Sequence, residues 1–323
     1  MHRLANELAA LGQQVTCFSF SEKPDDARYQ HVKLRATATS RVIAKFEAGY
    51  RFAALKTGMY DVLHYHGDDY LCKGSGRRVR TYYGSALYEA LNARKIMRGF
   101  RQAVFYLLEW LSCLRRGQGV GISKTTRRAL PLIKHIIPCG VPLSLYTPGL
   151  AKSPHPTILF VGDLDSRKRG RLLVDVFQSV IVKASHDAEL CIVGPQQCSG
   201  PGIVHKGRIT EQELIDEYRR AWIYCCPSSY EGFGVPLCEA MACGAAIVAC
   251  DNGGVREIVS HNYNGLLCTP ETLGAALCRL LSDTILRARL VANGSAFVKR
   301  FDMGEIARDY LRLYQSIQKA STL

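Results

Sequence analysis

Apolar and polar positions follow two alternating periods along the second half of this chain. Short apolar runs that stop at glycine, proline or serine predict buried strands, and the segments between them carry apolar residues at helical spacing. The predicted strands are 157–161, 190–193, 203–205, 222–226 and 246–250, and the predicted helices are 172–182, 211–220 and 235–243. This alternation predicts an α/β fold with a doubly wound parallel sheet.

The first half repeats the alternation more loosely. A helix is predicted over 4–11, and strands are predicted over 15–20, 62–66, 79–83 and 119–122. A turn-rich segment from Pro138 to Gly149 is typical of an interdomain linker. We therefore expect two domains, residues 1–148 and residues 149–323, each long enough to bury its own core.

Composition narrows the class of protein. The hydrophobic fraction of 47% in 323 residues is that of a globular protein and argues against wholesale disorder. We find no apolar run long enough to span a bilayer, and no apolar leader follows Met1. The thirteen cysteines form no CxxC pair, so we interpret them as small buried hydrophobes in a reducing compartment, not as zinc ligands. We expect a cytoplasmic protein.

The net charge of +14 is concentrated in the first half. Residues 1–150 hold 23 Lys and Arg against 10 Asp and Glu, whereas residues 151–323 hold 19 against 18. Such a basic half could be an ordinary solvated surface, or it could face an anionic membrane, an anionic acceptor or nucleic acid.

Residues 92–117 predict an amphipathic basic helix. It either packs on the first-domain sheet or lies on a membrane surface. Its cations and apolar residues are Lys95, Arg98, Arg101, Arg115, Arg116, Phe105, Leu107, Leu108, Trp110 and Leu111.

The strongest pattern is the segment 228–244, which follows a predicted strand and opens a predicted helix. Pro236 suits a first helical turn, and Gly244 suits the position just past a helix end. Gly232 and Gly234 allow the backbone to approach a ligand closely. The free N–H groups and the helix dipole at this point predict a binding site for a pyrophosphate.

Two carboxylates, Glu231 and Glu239, flank that point eight residues apart. A helical rise would separate them by at most ~12 Å. A nucleotide sugar carries hydroxyls on both sides of its pyrophosphate at about that separation, and a carboxylate can accept two hydrogen bonds from a diol. The alternative is that Glu231 is a loop charge and Glu239 a capping or surface residue.

These residues resemble glycosyltransferase family four, the retaining GT-B enzymes, whose E-x7-E motif reads Glu231-Gly-Phe-Gly-Val-Pro-Leu-Cys-Glu239 here. Segments 137–142, 244–250, 251–258 and 263–267 are also similar to the family. The resemblance implies two Rossmann-like doubly wound domains facing a cleft. The first would be the acceptor side, the second would bind the donor, and the last helix could cross back to the first domain.

The resemblance also implies roles for single residues. Glu231 would contact the transferred sugar and Glu239 the ribose. The amides near Phe233, Gly234 and Val235 would hold sugar and phosphate.

A second phosphate element is implied over 160–170, which begins at a strand closed by Gly162. Asp163 stands where the family usually has an arginine, so the charge would come from Arg167, Lys168 and Arg169. We expect Lys168 and Arg169 to act with Glu231 in catalysis, and Gly162 and Arg167 to contact the donor. A solvated basic turn is the alternative.

The first domain departs from the family. The chain begins at its first helix, without the strand and glycine-rich loop that the family places before it. Tyr83 stands where the family has a histidine that faces the donor sugar. His64 and His66 end a neighbouring strand, where His66 could line the cleft, or both could be packed strand residues.

The activity implied is the retaining transfer of a hexosyl group from a UDP- or GDP-sugar to a glycan or lipid-linked acceptor. The departing diphosphate itself would accept the acceptor proton, and the protein would supply position and charge. We expect neither cofactor nor metal, because the three cations of this turn can neutralise the phosphates. Asp163-Leu-Asp165 is the only Asp-x-Asp metal-binding spacing near the site, and it lies beside those cations. The protein could attach to the inner face of a membrane. The alternatives are a GT-B epimerase, a non-catalytic relative or, without a recognisable motif, a nucleic-acid-binding protein.

Overall fold

A computed structural model describes residues 1–37, 44–93 and 96–321, so Lys95 lies outside the described residues. The chain divides into two compact units. Unit 1 comprises Met1–Ala90, Phe100–Gly140 and Met303–Leu323, and unit 2 comprises Leu91–Gly99 and Val141–Asp302. The division after Gly140 falls inside the turn-rich linker, ahead of the boundary expected at residue 148. None of the described helices is long and apolar enough to cross a membrane.

Unit 1 contains a four-stranded parallel sheet of order β3-β4-β5-β6 and a separate parallel pair, β1 and β2. With strands and helices numbered along the whole chain, its strands are β1 Thr16–Ser19, β2 Gln30–Lys33, β3 Leu63–Tyr65, β4 Arg78–Tyr82, β5 Gln118–Gly121 and β6 His135–Ile136. The helices that lie wholly or largely in it are α1 His2–Ala10, α2 Ala44–Ala53, α3 Ala86–Leu91, α4 Ile96–Cys113, α5 Lys124–Ala129 and α12 Met303–Ser321.

The first and last helices share the core of unit 1. Leu4 and Leu8 of α1 pack with the apolar face of α12 and with Val79 and Val120 of the sheet. The α12 face repeats every three or four residues, as one side of a helix must. It consists of Ile306, Tyr310, Leu313 and Ile317. The last helix is therefore an integral part of unit 1, although the chain reaches it after unit 2.

Unit 2 is a single six-stranded parallel sheet of order β12-β11-β10-β7-β8-β9. Its strands are β7 Thr157–Val161, β8 Glu189–Val193, β9 Ile203–Gly207, β10 Ile223–Cys226, β11 Ala246–Cys250 and β12 Leu266–Cys268. Its helices are α6 Gly170–Val176, α7 Val182–Ala184, α8 Glu211–Arg220, α9 Val235–Ala242, α10 Leu273–Ser282 and α11 Thr284–Val298, and a π-helical turn, Phe177–Ile181, joins α6 to α7. The predicted strands 157–161 and 246–250 and the predicted helix 211–220 have the bounds expected.

The strand order of unit 2 reverses between β7 and β10. In an open parallel sheet, the loops that follow two such strands run in opposite directions and leave a crevice. Ligands bind in this crevice, at the carboxyl ends of the strands. The fully buried strands β10 and β11 fix this position in the core, where small thiols such as Cys225 and Cys250 pack among aliphatic side chains. All thirteen cysteines are free thiols.

Candidate active site

Two loops meet at the strand reversal of unit 2. We define the basic turn as residues 163–169, which follow β7, and the acidic loop as residues 227–234, which follow β10. The Ser229 amide donates to the Arg167 carbonyl oxygen at 2.9 Å, and Arg167 Nη1 donates to the Tyr230 carbonyl oxygen at 2.6 Å. These reciprocal bonds hold the two loops together at the carboxyl edge of the sheet.

Glu231 lies where the two loops touch. Its Oε1 is 2.7 Å from Lys168 Nζ and its Oε2 is 3.2 Å from Arg167 Nη1, although only 4% of the residue is exposed. Burial alone would raise the pKa of the carboxyl group. The charges of Lys168 and Arg167 outweigh that effect and hold the pKa below its ordinary value. Glu231 is therefore ionised at neutral pH.

Backbone packing fixes the position of Glu231. A Cβ atom on Gly254 would lie 1.9 Å from the Glu231 carbonyl oxygen, so only glycine fits there. Asn252 Nδ2 donates to the Ser228 carbonyl oxygen at 3.0 Å, which ties the acidic loop to the segment after β11. The sequence pattern does not single out Asn252, although this residue lies in the segment 251–258 that is similar to family four.

Helix α9 opens directly after the acidic loop. Gly234 precedes it with φ of 104°, a left-handed conformation that favours glycine, and Pro236 lies in the first turn. The first amides of a helix lack intrahelical partners, so the N–H groups near Gly234 and Val235 can bind an anion. The side chain of Phe233 is buried, with its ring 5.3 Å from that of Phe301. Only the Phe233 backbone is suited to a ligand.

Glu239 lies on α9 and is 8% exposed. Its Oε2 accepts a hydrogen bond from the Tyr218 hydroxyl at 3.2 Å, and the Tyr218 ring packs edge-on to Tyr224 at 5.6 Å. The alternative of a capping or surface residue is therefore wrong for Glu239. Tyr218 was missed because it lies on α8, where the sequence pattern indicated only a charged amphipathic helix.

The three cations of the basic turn have different surroundings. Arg167 and Lys168 contact Glu231, with side chains only 24% and 18% exposed. Arg169 precedes α6 in a left-handed conformation with φ of 53°. The pKa of Glu271 is lowered mainly by a hydrogen bond from Thr269 and to a smaller extent by the Arg169 charge. The turn is thus not a solvated face, and Arg167, rather than Arg169, joins Lys168 at Glu231.

The rest of the basic turn is shaped by its own contacts. Gly162 has φ of 152°, and a Cβ atom there would lie 3.0 Å from Lys168 Cγ, so the lysine stem covers this glycine. Asp163 Oδ1 accepts a hydrogen bond from the Asp165 amide at 2.8 Å, and the Asp165 carboxylate pairs with Arg171. Both aspartates therefore stabilise the turn.

Tyr83 and His66 lie at the carboxyl ends of neighbouring strands in unit 1. The Tyr83 hydroxyl and His66 Nδ1 are 2.7 Å apart, and Tyr83 is 49% exposed. The His64 ring lies 4.0 Å from that of His66 at a tilt of 31°, and it hydrogen-bonds to Tyr314 and Thr81. Burial lowers the pKa of His64 to about 3 and that of His66 well below its ordinary value. His64 is a packed strand histidine, whereas Tyr83 can reach a ligand.

Comparisons with known proteins agree with this description. Residues 155–283 match the family model described as Glycosyl transferases group 1. A phosphatidyl-myo-inositol mannosyltransferase of Mycobacterium tuberculosis is 30% identical over 203 residues, which cover 56% of this chain and 53% of the relative. The chain thus matches about half the length of this curated relative.

Solved structures match nearly the whole chain. The sucrose-phosphate synthase of Thermosynechococcus elongatus superposes with a TM-score of 0.79 at 23% identity, covering 98% of this chain and 92% of that protein. Alr3699/HepE of Anabaena, solved with UDP-glucose, has a TM-score of 0.74 at 15% identity and covers 97% and 94%. At these identities the likeness concerns the fold, and it confirms the predicted GT-B class.

Proposed function

We propose that this chain is a glycosyltransferase of the group 1 family, of the family-four type, and that it transfers a sugar from a nucleotide-diphosphate sugar with retention of configuration. The observation that carries this proposal is the buried, ionised Glu231 held by Arg167 and Lys168 at the strand reversal of unit 2. The N-terminus of α9 and the buried Glu239 follow it within one helix. This set of groups matches the parts of a nucleotide sugar.

Binding of the donor would exchange ion pairs. Arg167 and Lys168 are now neutralised by one carboxylate, and a diphosphate offers them more negative charge and more acceptor oxygens. When the cations turn to the diphosphate, the Glu231 oxygens become free to accept hydrogen bonds from sugar hydroxyls. The α9 amides would hold the same diphosphate, and Glu239 would accept hydrogen bonds from the ribose diol.

The transfer step balances without a protein base. The bond between the anomeric carbon and the phosphate oxygen breaks, and the acceptor oxygen bonds to that carbon on the same face. The acceptor proton passes to the departing phosphate oxygen. Arg167 and Lys168 stabilise the negative charge that grows on the diphosphate, which is the largest contribution a protein can make to such a step. The proposed step therefore requires neither metal nor cofactor.

Two observations on other proteins support the choice of substrates. Alr3699/HepE was solved with UDP-glucose, which supports a UDP- or GDP-sugar as the donor here. The mycobacterial relative is named for transfer to phosphatidyl-myo-inositol, which supports a lipid-linked acceptor over a soluble glycan.

Helix α4 supports attachment to an anionic membrane on its cytoplasmic face. Tyr106 and Trp110 pack inward near Tyr82, but an adjacent side of the helix presents apolar residues to solvent. Phe100 is 70% exposed and Leu107 is 68% exposed. An exposed apolar face on a basic half of the chain is typical of an interfacial helix.

Nuclear magnetic resonance of the anomeric proton tests the transfer chemistry. The protein is incubated with UDP- and GDP-sugars, and the sugar released to water or to an added acceptor is followed before mutarotation. We expect one donor to be consumed, with the anomeric configuration of the donor retained in the first product. A product of the opposite configuration, or no turnover of any donor with any acceptor, would overturn the proposal.

A further inference from the structure

A polar cavity of about 970 Å³ opens at the amino edge of the unit 1 sheet. It lies between the loops that precede β4, β5 and β6, at the sheet edge opposite to Tyr83 and His66. Its walls are residues 74–78, 113–119 and 132–134, together with Tyr82 and with Ser316 and Ile317 of α12. The Ser75 amide donates to the Arg116 carbonyl oxygen at 3.1 Å, so two of these loops are tied together and the cavity is preformed.

The cavity is cationic. Its lining includes five basic residues. The described lining residues include no aspartate or glutamate. The basic residues are Arg77, Arg78, Arg115, Arg116 and Lys134.

Only one of these cations has a carboxylate as a described partner. Arg78 is buried against Asp69. Arg77 donates to the carbonyl oxygen of Tyr60 at 2.6 Å, and Arg115 donates to that of Tyr70 at 2.7 Å. Carbonyl oxygens orient a guanidinium group without cancelling its charge, so these cations attract an anion.

Two cations of the lining are open to a ligand. Arg116 and Lys134 are both exposed. An anionic oxygen can accept charge-assisted hydrogen bonds from such side chains.

The cavity adjoins the exposed apolar face of α4. Leu114, which lines the cavity, is 70% exposed and continues the row formed by Leu107 and Leu111. Residues spaced by three and four lie on one side of a helix, so the row leads along the helix to the cavity mouth. A ligand that bears both a charged group and hydrocarbon would fit the two surfaces together.

We propose that this cavity binds the phosphate headgroup of an anionic phospholipid while the α4 row contacts the hydrocarbon beneath it. The inference rests on the membrane attachment proposed above and adds a defined headgroup site to it. Free phosphate shares the charge of a headgroup but would leave the apolar row uncovered, and this difference separates the two ligands.

Vesicle sedimentation tests the proposal with the full chain and no nucleotide sugar. The vesicles are phosphatidylcholine, alone or mixed with phosphatidylglycerol. The cavity variant is Arg116→Gln with Lys134→Gln, both exposed, and its charge-matched control is Lys183→Gln with Arg208→Gln, which are exposed in unit 2. The row variant is Leu107→Ser, and its control is Ile285→Ser at a residue that is 83% exposed.

We expect wild-type protein to sediment with the anionic vesicles only. The cavity variant should bind them roughly thirtyfold more weakly, since each of its two lost basic residues contributes about 1 kcal/mol near such a surface. Leu107→Ser should also weaken binding, and both controls should match wild type. Calorimetry with inorganic phosphate should show no saturable binding.

Three results would overturn the headgroup site. Equal binding by the cavity variant and its control would exclude the cavity as the headgroup site, although the protein would still attach to the membrane. Saturable phosphate binding by a protein that ignores vesicles would make it a free-anion site. Absence of wild-type protein from all vesicle pellets would exclude both the headgroup site and the membrane attachment. It would not bear on the proposed sugar transfer, which the anomeric-proton experiment tests separately.

Discussion

At the scale of single residues, the charge on Glu231 depends on two neighbours. Burial opposes ionisation, and Lys168 and Arg167 reverse that effect. Breaking such a pair from one side is costly, because the remaining charge stays buried without compensation. An anionic ligand that binds Arg167 and Lys168 would compete with Glu231 for these two cations. It would thereby free the Glu231 oxygens to accept other hydrogen bonds.

Glu231→Gln should lower the turnover of donor sugar about 10²–10³-fold, because the amide cannot replace a carboxylate that accepts from the sugar hydroxyls. Nucleotide diphosphate should bind at least as tightly as to wild type, since Arg167 and Lys168 are no longer neutralised. Turnover assays and calorimetry with the diphosphate measure the two effects.

Glu271→Gln is the matched control for that variant, because Glu271 is exposed. It should behave as wild type in both assays. Full turnover by Glu231→Gln would exclude the proposed contact with the sugar.

Glu239→Ala should weaken diphosphate binding more than Glu231→Gln does, because the ribose belongs to substrate and product alike. Tyr218→Phe removes only the hydroxyl that donates to Glu239 at 3.2 Å. We expect a smaller loss of affinity there, about fivefold, from the loss of one hydrogen bond near 1 kcal/mol. Calorimetric titrations that give one affinity for all three variants would refute the ribose assignment.

At the scale of the elements, the basic turn between β7 and α6 directs its cations unequally. Arg167→Gln and Lys168→Gln should each weaken diphosphate affinity about tenfold or more, because each removes a charge-assisted bond. Arg169→Gln removes an adjacent charge that does not take part in the Glu231 ion pairs, so it should cost little. Titration at several salt concentrations provides the comparison, and equal losses for all three would mean that only the total charge matters.

Helix α4 carries a carboxylate that titrates near neutrality. Glu109 accepts a hydrogen bond from the Ala86 amide at 3.1 Å, and burial raises its pKa from 4.5 to about 7 despite that bond and the nearby Arg80 charge. The folded protein therefore binds this proton more tightly than the unfolded chain does. Its stabilising contribution is complete below about pH 4.5 and is lost as the pH rises to about 7, by at most about 3 kcal/mol.

Glu109→Gln should abolish that part of the pH dependence. Denaturant unfolding at pH values between about 5 and 8 should show a wild-type free energy of unfolding that falls more steeply than that of the variant. Parallel curves for the two proteins would show that Glu109 does not titrate in this range.

Most elements of unit 2 could be predicted, because each of its strands is a short apolar run with clear breaks. In the basic turn, the sequence could not show which cation faces Glu231. Three consecutive cations look alike, and the ion pairs that Arg167 and Lys168 form with Glu231 are a property of the folded chain. Tyr218 escaped prediction for a similar reason, since its contact with Glu239 joins two different helices.

At the scale of the whole molecule, the alternation of strands and helices predicted a doubly wound parallel sheet, and the resemblance to family four implied the GT-B class. The positions at which the chain passes from one unit to the other were harder to predict from the sequence. The division after Gly140 and the membership of α12 in the core of unit 1 depend on packing between segments far apart in sequence. Periodicity identifies the face of such a helix that is buried but not the surface that buries it.

The central claim is that unit 2 binds a nucleotide diphosphate between the basic turn and Glu239, and calorimetric titration with UDP and GDP tests it most directly. We predict saturable binding of one of them to wild type, weakened in Lys168→Gln and in Glu239→Ala but kept in Glu231→Gln and Arg169→Gln. At about 100 times its Kd, that nucleotide should also stabilise the protein by ~2.7 kcal/mol. Absence of binding for both nucleotides, or equal affinities across all variants, would contradict a diphosphate site between the basic turn and Glu239.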